Sequence, residues 1–281
     1  MADSVTPAQR RLAAALRALR ARSGMSAAAL GRELGWSQAR VSRTELGQRR
    51  INADDVAWWA EALSAPQDDR AELEALLDEA GRELRTWWDI QAAGGVASRQ
   101  ADVAIFEAGS ASISNFQLVV PGLLQTADYA RRVFTLGAVS RDTDVNASVA
   151  ARMRRQEILY DPARQFDYVL PESALHWLLA NDAAARRAQA DRLISLDSLP
   201  NVSIAVLPFT ASPPVLPTDG FVIYEIPDRP LVLLETLTSE LIFADEREVE
   251  AYRAAFAGLR EASVIGEDAH ALIRAVMITD S

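Results

Sequence analysis

Residues 26–47 read Ser-Ala-Ala-Ala-Leu-Gly-Arg-Glu-Leu-Gly-Trp-Ser-Gln-Ala-Arg-Val-Ser-Arg-Thr-Glu-Leu-Gly. Ser26 can N-cap a short helix running to Leu34, with Leu30 and Leu34 on one face and Gly35 as its stop. Trp36 is apolar at the turn. Ser37 caps the next helix, Gln38 to Glu45, with Gly47 beyond it. Gly31, Gly35 and Val41 are spaced so that two helices can cross closely. A small residue lies on the first, a glycine makes the turn four residues later, and a β-branched residue packs into the crossing six later. The second helix then exposes Gln38, Arg40, Ser42 and Arg43.

Working outward, Leu12, Ala15, Leu16 and Leu19 recur at i, i+3, i+4 and i+7 across 8–22, and Pro7 suits the first turn. Asn52 caps a fourth helix with Val56, Trp59 or Ala60, and Leu63 inward. Leu73, Leu76, Leu77 and Leu84 mark a fifth. Five short helices joined by tight turns predict an all-helical domain over 1–85, and a helix-turn-helix within it. Gln, Ser and Arg on an exposed helix hydrogen-bond base edges or phosphates. Ser37 starts a helix whose free N–H groups lie near the DNA backbone, and Arg49 and Arg50 follow as phosphate contacts. The expected DNA-binding set is Ser26, Ser37, Gln38, Ala39, Arg40, Ser42, Arg43, Arg49 and Arg50. The competing reading is a helical bundle with a solvated basic face.

Charge is unevenly spread. The 281 residues carry a net charge of −10, with no cysteine, no lysine and two histidines. Residues 1–50 hold ten Arg against three acids, a balance of +7, and the remainder holds 19 Arg against 36 acids, a balance of −17. A basic head on an acidic body suggests a polyanion-binding module joined to another domain. The absence of cysteine excludes disulfides and thiolate chemistry. No apolar run approaches the ~18 residues of a membrane span, and the first residues lack a signal-peptide core. The expectation is a cytoplasmic, nucleoid-associated protein.

The head resembles the Cro/phage-repressor (XRE) class of helix-turn-helix over about residues 8–64, most specifically along Ser37–Arg50. Thr44 departs from it, where an apolar residue is usual, as does Gly31, where Ala is commoner. The resemblance implies that Arg20 at the end of the first helix pairs with Glu45. It also implies that Gln38 and Arg43 reach bases, with Arg40 equally suited to phosphate.

Residues 86–281 read as an α+β domain. Phe166–Leu170, Val202–Leu207, Gly220–Ile226 and Leu231–Thr236 have strand composition, and 220–236 reads as a hairpin turning at Asp228-Arg-Pro. The expected sheet is small and largely antiparallel. Helical stretches are expected at 98–112, beyond 121, at 144–160, at 245–260 and at 266–276. The string Pro-Gly-Leu-Leu-Gln-Thr-Ala-Asp-Tyr-Ala-Arg-Arg (121–132) resembles the C-terminal domain of a large actinobacterial family of XRE-type, antitoxin-like regulators. Phe106–Ala108, Arg152–Gln156, Leu170–Leu175 and Val202–Pro208 match it too. That resemblance implies a small partner protein encoded nearby and a role in development and antibiotic production.

From the residues alone, Gln125, Thr126, Arg152, Arg155 and Gln156 are candidates for partner or ligand binding. The competing and favoured reading makes 121–126 a structural turn and sets the Arg cluster against acids such as Glu107 and Glu172. One member of each pair, Trp58-Trp59 and Trp87-Trp88, is expected in a core. His176 is not expected to be catalytic.

No cofactor or metal is implied, and the sequence carries no phosphate loop, metal-ligand cluster or G-x-S-x-G. An enzyme with an accessory head is therefore disfavoured, though a hydrolase using only carboxylates stays open. The readings carried forward are a dimeric transcriptional regulator, with its main interface within 90–281, and an antitoxin that neutralises a toxic partner and regulates itself.

Overall fold

A computed structural model describes residues 7–47, 49, 51–86, 95–137, 144–176, 182–216, 218–227 and 229–278. The chain divides into two compact units, Met1–Glu83 and Leu84–Ser281.

The first unit is a bundle of short helices: α1 (Pro7–Arg22), α2 (Ala27–Glu33), α3 (Gln38–Glu45), α4 (Ala53–Ala62) and α5 (Gln67–Gly81). Their apolar faces meet in one core. Leu12, Leu16 and Leu19 of α1 pack with Leu30, Val41, Val56, Trp59 and Leu73. Trp59 is fully buried and Trp58 is exposed. Trp36 meets the Trp59 ring edge-on, with centroids 6.0 Å apart, an arrangement favoured by the ring quadrupoles. Leu84 belongs to a strand rather than to α5.

The second unit is built on a seven-stranded sheet of order β1-β7-β6-β5-β2-β3-β4. The strands are β1 (Arg82–Thr86), β2 (Ser112–Phe116), β3 (Gln165–Pro171), β4 (Val202–Leu207), β5 (Phe221–Glu225), β6 (Leu231–Glu235) and β7 (Ser239–Phe243). β5, β6 and β7 form an antiparallel meander, and β5 also pairs antiparallel with β2. β2–β3 and β3–β4 are parallel. The domain is thus α+β with a mixed sheet, and the expected hairpin is the β5–β6 pair. Its turn residue Asp228 lies outside the described residues, as do Trp87 and Trp88.

The helices of this unit are α6 (Gly95–Gly109), α7 (Ala127–Gly137), α8 (Val145–Arg155), α9 (Glu172–His176), α10 (Ala183–Asp197), α11 (Glu246–Glu261) and α12 (Gly266–Met277). Short 3-10 turns occupy Gly122–Leu124 and Gln156–Tyr160. The sheet is covered on both faces. Tyr168, Leu170, Ile204, Val222 and Leu233 face a core completed by Leu124, Tyr129, Leu193 and Ile273. Phe116, Val169, Ala205, Ile223 and Val232 face the opposite way, onto Val249, Phe256 and Leu259 of α11. Strands buried on both faces read as unbroken apolar runs, which is why β3 to β6 stand out in the sequence.

Candidate nucleic-acid interface

The crossing of α2 and α3 rests on backbone geometry. Gly35 adopts φ +67°, a left-handed conformation that glycine reaches without strain. That turn brings the Trp36 N–H onto the Gly31 carbonyl at 2.6 Å. A Cβ on Gly31 would stand 2.8 Å from the Trp36 carbonyl oxygen, so the departure from Ala at this position has a steric cause. Val41 is fully buried in the crossing. Thr44 is buried too, and its hydroxyl donates to the Arg40 carbonyl at 3.0 Å. The helix itself thereby satisfies the polar group of the second departure.

Three helix starts are capped. Ser26 Oγ accepts the Ala29 N–H and Ser37 Oγ the Arg40 N–H, each at 3.2 Å. Asn52 Oδ1 accepts the Asp55 N–H at 2.8 Å. Of the expected DNA-binding residues, Ser26, Ser37, Gln38, Ala39, Ser42, Arg43 and Arg49 are exposed, and Arg50 lies outside the described residues. Arg43 folds back through Nε onto the Ala39 carbonyl at 3.3 Å. Gln38, Ala39, Ser42 and Arg43 share one side of α3, opposite buried Val41 and Thr44.

Arg40 points elsewhere. Its Cζ lies 3.7 Å from the Trp36 ring centroid, and its Nη2 donates to Asp55 Oδ1 at 3.0 Å. It therefore ties α3 to the turn and to α4. Sequence reading missed Asp55 in this role. The available signal was its position at the first turn of α4, next to buried Val56.

Arg20 and Glu45 pair as expected. Nε and Nη2 of Arg20 bond the two carboxylate oxygens, and Nη1 donates to the Met25 carbonyl at 2.8 Å. The bond to Glu45 pushes the guanidinium pKa further up. α1, α3 and the α1–α2 turn are joined at one point.

In the second unit, Gln125, Arg152 and Gln156 are brought together around the 121–126 turn. Gln125 Nε2 donates to the Val120 carbonyl at 2.6 Å. Gln156 Nε2 donates to the carbonyls of Gly122 (3.0 Å) and Gln125 (2.7 Å). The Thr126 N–H donates to Gln189 Oε1 at 2.8 Å. Arg155 pairs with Glu107 through Nε at 2.9 Å and through Nη2, and it also donates to Gln100. The turn is therefore internally braced. Glu172 is not part of the Arg cluster: it accepts the Phe209 N–H at 2.8 Å and lies 4.0 Å from His176. His176 stacks on Phe209.

Among the described residues, no group of three His, Cys, Asp or Glu could hold a metal ion. No described helix is long and apolar enough to cross a membrane.

A family model described as "Helix-turn-helix domain" matches residues 11–73. A second, described as "Domain of unknown function (DUF5753)", matches residues 100–275. No curated protein matches the chain. Among solved structures, one match is to TrmBL2, an archaeal chromatin protein described as showing a novel mode of DNA binding. The identity is 12%, over 76% of this chain and 68% of that chain, with a TM-score of 0.33. The head is a DNA-binding helix-turn-helix domain of regulatory type.

Proposed function

We propose, from the premise that this chain belongs to the family of the domain of unknown function DUF5753 and carries a helix-turn-helix head, that it is a sequence-specific transcriptional regulator. The carrying observation is the exposed side of α3, where Gln38, Ala39, Ser42 and Arg43 stand together above a crossing fixed by Gly31 and Val41. In this reading, Gln38 and Arg43 reach base edges in the major groove. Ser26, Ser37, Arg49 and Arg50 hold phosphates, and Arg40 positions the helix. The +7 balance of residues 1–50 supplies the electrostatic attraction.

Residues 1–85 then form the DNA-binding domain, and 86–281 the dimerisation and receiving domain. One helix-turn-helix reads only a few base pairs, so two copies on half-sites one helical turn apart are expected. The acidic balance of the second domain repels DNA and suits a basic partner surface or a separate ligand. The small neighbouring partner and the antitoxin role rest on the sequence resemblance alone.

Selection of bound duplexes from a random pool, at a stated salt concentration, tests the reading. Enrichment of a two-fold-symmetric site by the whole chain is the expected result. No enrichment over bulk DNA defeats sequence-specific regulation. Light scattering at micromolar concentration, free and on that site, tests the dimer.

A further inference from the structure

Arg152 of α8 is a guanidinium without a carboxylate partner among the described residues. Its Nη1 donates to the neutral amide oxygen of Gln125 at 2.7 Å. The Phe134 ring covers it, with Cζ 4.1 Å from the ring centroid. Its Nε is buried with no acceptor. Gly122 lies against it: a Cβ there would stand 3.3 Å from Nε and 3.5 Å from Cζ. Burial, and then the neighbouring Arg155, push its pKa down to about 9, which leaves it charged at neutral pH.

The nearby carboxylates are already held. Glu107 belongs to Arg155, and Glu235 and Glu240 to Arg99. Arg192 of α10 is in a similar position. It donates to Gln156 Oε1 at 3.1 Å and to the Tyr160 hydroxyl at 3.3 Å. Gln156 in turn bonds the Gln125 carbonyl. Two guanidiniums from two helices thus hang on one knot of glutamines, and among the described residues every acceptor offered to them is neutral.

A half-buried cation with only neutral acceptors is an incomplete pair. The planar fork of arginine matches two oxygens of a carboxylate or phosphate. We infer that Arg152 and Arg192, beside the Pro121–Thr126 turn, form a receptor for the carboxylate or phosphate group of a small-molecule effector. This rests on the reading of the second domain as a receiving module and names the class of ligand it receives.

Calorimetric titration of the full chain with inorganic phosphate, and separately with acetate, at ionic strength fixed by chloride, tests it. Saturable binding of at least one anion is expected, and the stronger arm identifies the oxyanion. Arg152→Gln should weaken binding about tenfold, the loss of one charge-assisted hydrogen bond. Arg192→Gln should weaken it less, and Arg247→Gln, at the exposed start of α11, not at all. Arg152 also braces Gln125, so Arg152→Lys, which keeps the charge and loses the fork, provides a folded comparison of intermediate affinity.

The proposal is overturned if neither anion binds saturably, if the Arg152 and Arg192 variants bind like the unaltered chain, or if the loss follows Arg247 instead. Duplex affinity without added anion is measured in parallel, so failure of the DNA-binding reading is seen separately.

Discussion

The side chains of Arg20 and Glu45 meet fork to fork, the second bond at 2.9 Å, with 16% and 8% of their side-chain surfaces exposed. Two charges this far out of water depend on each other, and removing one strands its partner. Glu45→Ala should therefore cost the head about 3 kcal/mol. Arg20→Met with Glu45→Leu should cost less than the sum of the single changes. Urea denaturation of all four proteins gives the coupling. Additive single effects would mark the pair as a solvated contact worth ~0–1 kcal/mol.

Gly31→Ala is the sharpest steric test. The added methyl would stand 2.8 Å from the Trp36 carbonyl oxygen, which is backbone and itself part of the turn. Overpacking of this kind costs about 1–3 kcal/mol. A lowered urea midpoint with unchanged slope is expected. An unchanged midpoint would show that the turn yields at no cost.

Arg40→Ala should act through the fold. Removing it uncovers Trp36 and leaves Asp55, 7% exposed, without its cation. Arg40 itself is 30% exposed, so the partner's gain is screened and the loss should be about 2 kcal/mol. DNA affinity should fall by a similar factor on every sequence tested. Loss on selected sequences alone, with stability unchanged, would return Arg40 to base contact.

Gly31 and Arg40 mark where sequence reading is sufficient and where it is not. Gly31, Gly35, Val41 and the serine caps act over a few residues, so their spacing alone indicates the crossing. Arg40 looks solvent-facing in the sequence because helical spacing does not reveal the Trp36 ring and Asp55 waiting on other elements. Leu84 falls into the apolar rhythm of α5 yet lies in β1. In the second unit, β5 and β6 are legible because both faces are buried. β2, Ser-Ile-Ser-Asn-Phe, is not: it is short, and its two apolar residues stand three apart, off the period of two. The parallel pairing of β2, β3 and β4 joins segments separated by long crossings, and no local pattern encodes it. The turn at 121–126 reads as structural from its Pro, Gly and Leu residues, but its braces Gln156 and Gln189 come from distant segments of the chain.

Alkaline pH should unfold the second unit. Burial raises Tyr129 to about 12 and drives Tyr168 and Tyr224 well above the ordinary 10.0. The Tyr168 hydroxyl has no hydrogen-bond partner among the described residues. Above pH 10 these groups remain protonated when folded but ionise when unfolded. The unfolded state then binds fewer protons, so stability falls as pH rises, by up to about 1.4 kcal/mol per pH unit for each group. Absorbance at 295 nm should report their ionisation only in step with loss of circular dichroism. If all five tyrosines titrate near pH 10 with the dichroism intact, the hydroxyls are not sealed.

Arg43 and Arg49 separate base reading from charge. Both are exposed, but Arg43 stands on α3 beside Gln38 and Ser42, while Arg49 lies beyond the helix. Arg43→Ala should cost about 1–3 kcal/mol on the selected site and relax preference at one base-pair position in each half-site. The bond to the Ala39 carbonyl must be released before Arg43 can reach a base, and at 3.3 Å it is weak. Arg49→Ala should weaken all duplexes alike and flatten the dependence of log affinity on log salt by about 0.9 for each phosphate no longer neutralised. Competition binding at several salt concentrations, on the selected site and on its single-base variants, measures both effects at once. If Arg43→Ala flattens the salt slope and weakens every duplex equally, the exposed side of α3 contributes charge only, and the sequence preference must come from the bending or groove width of the DNA.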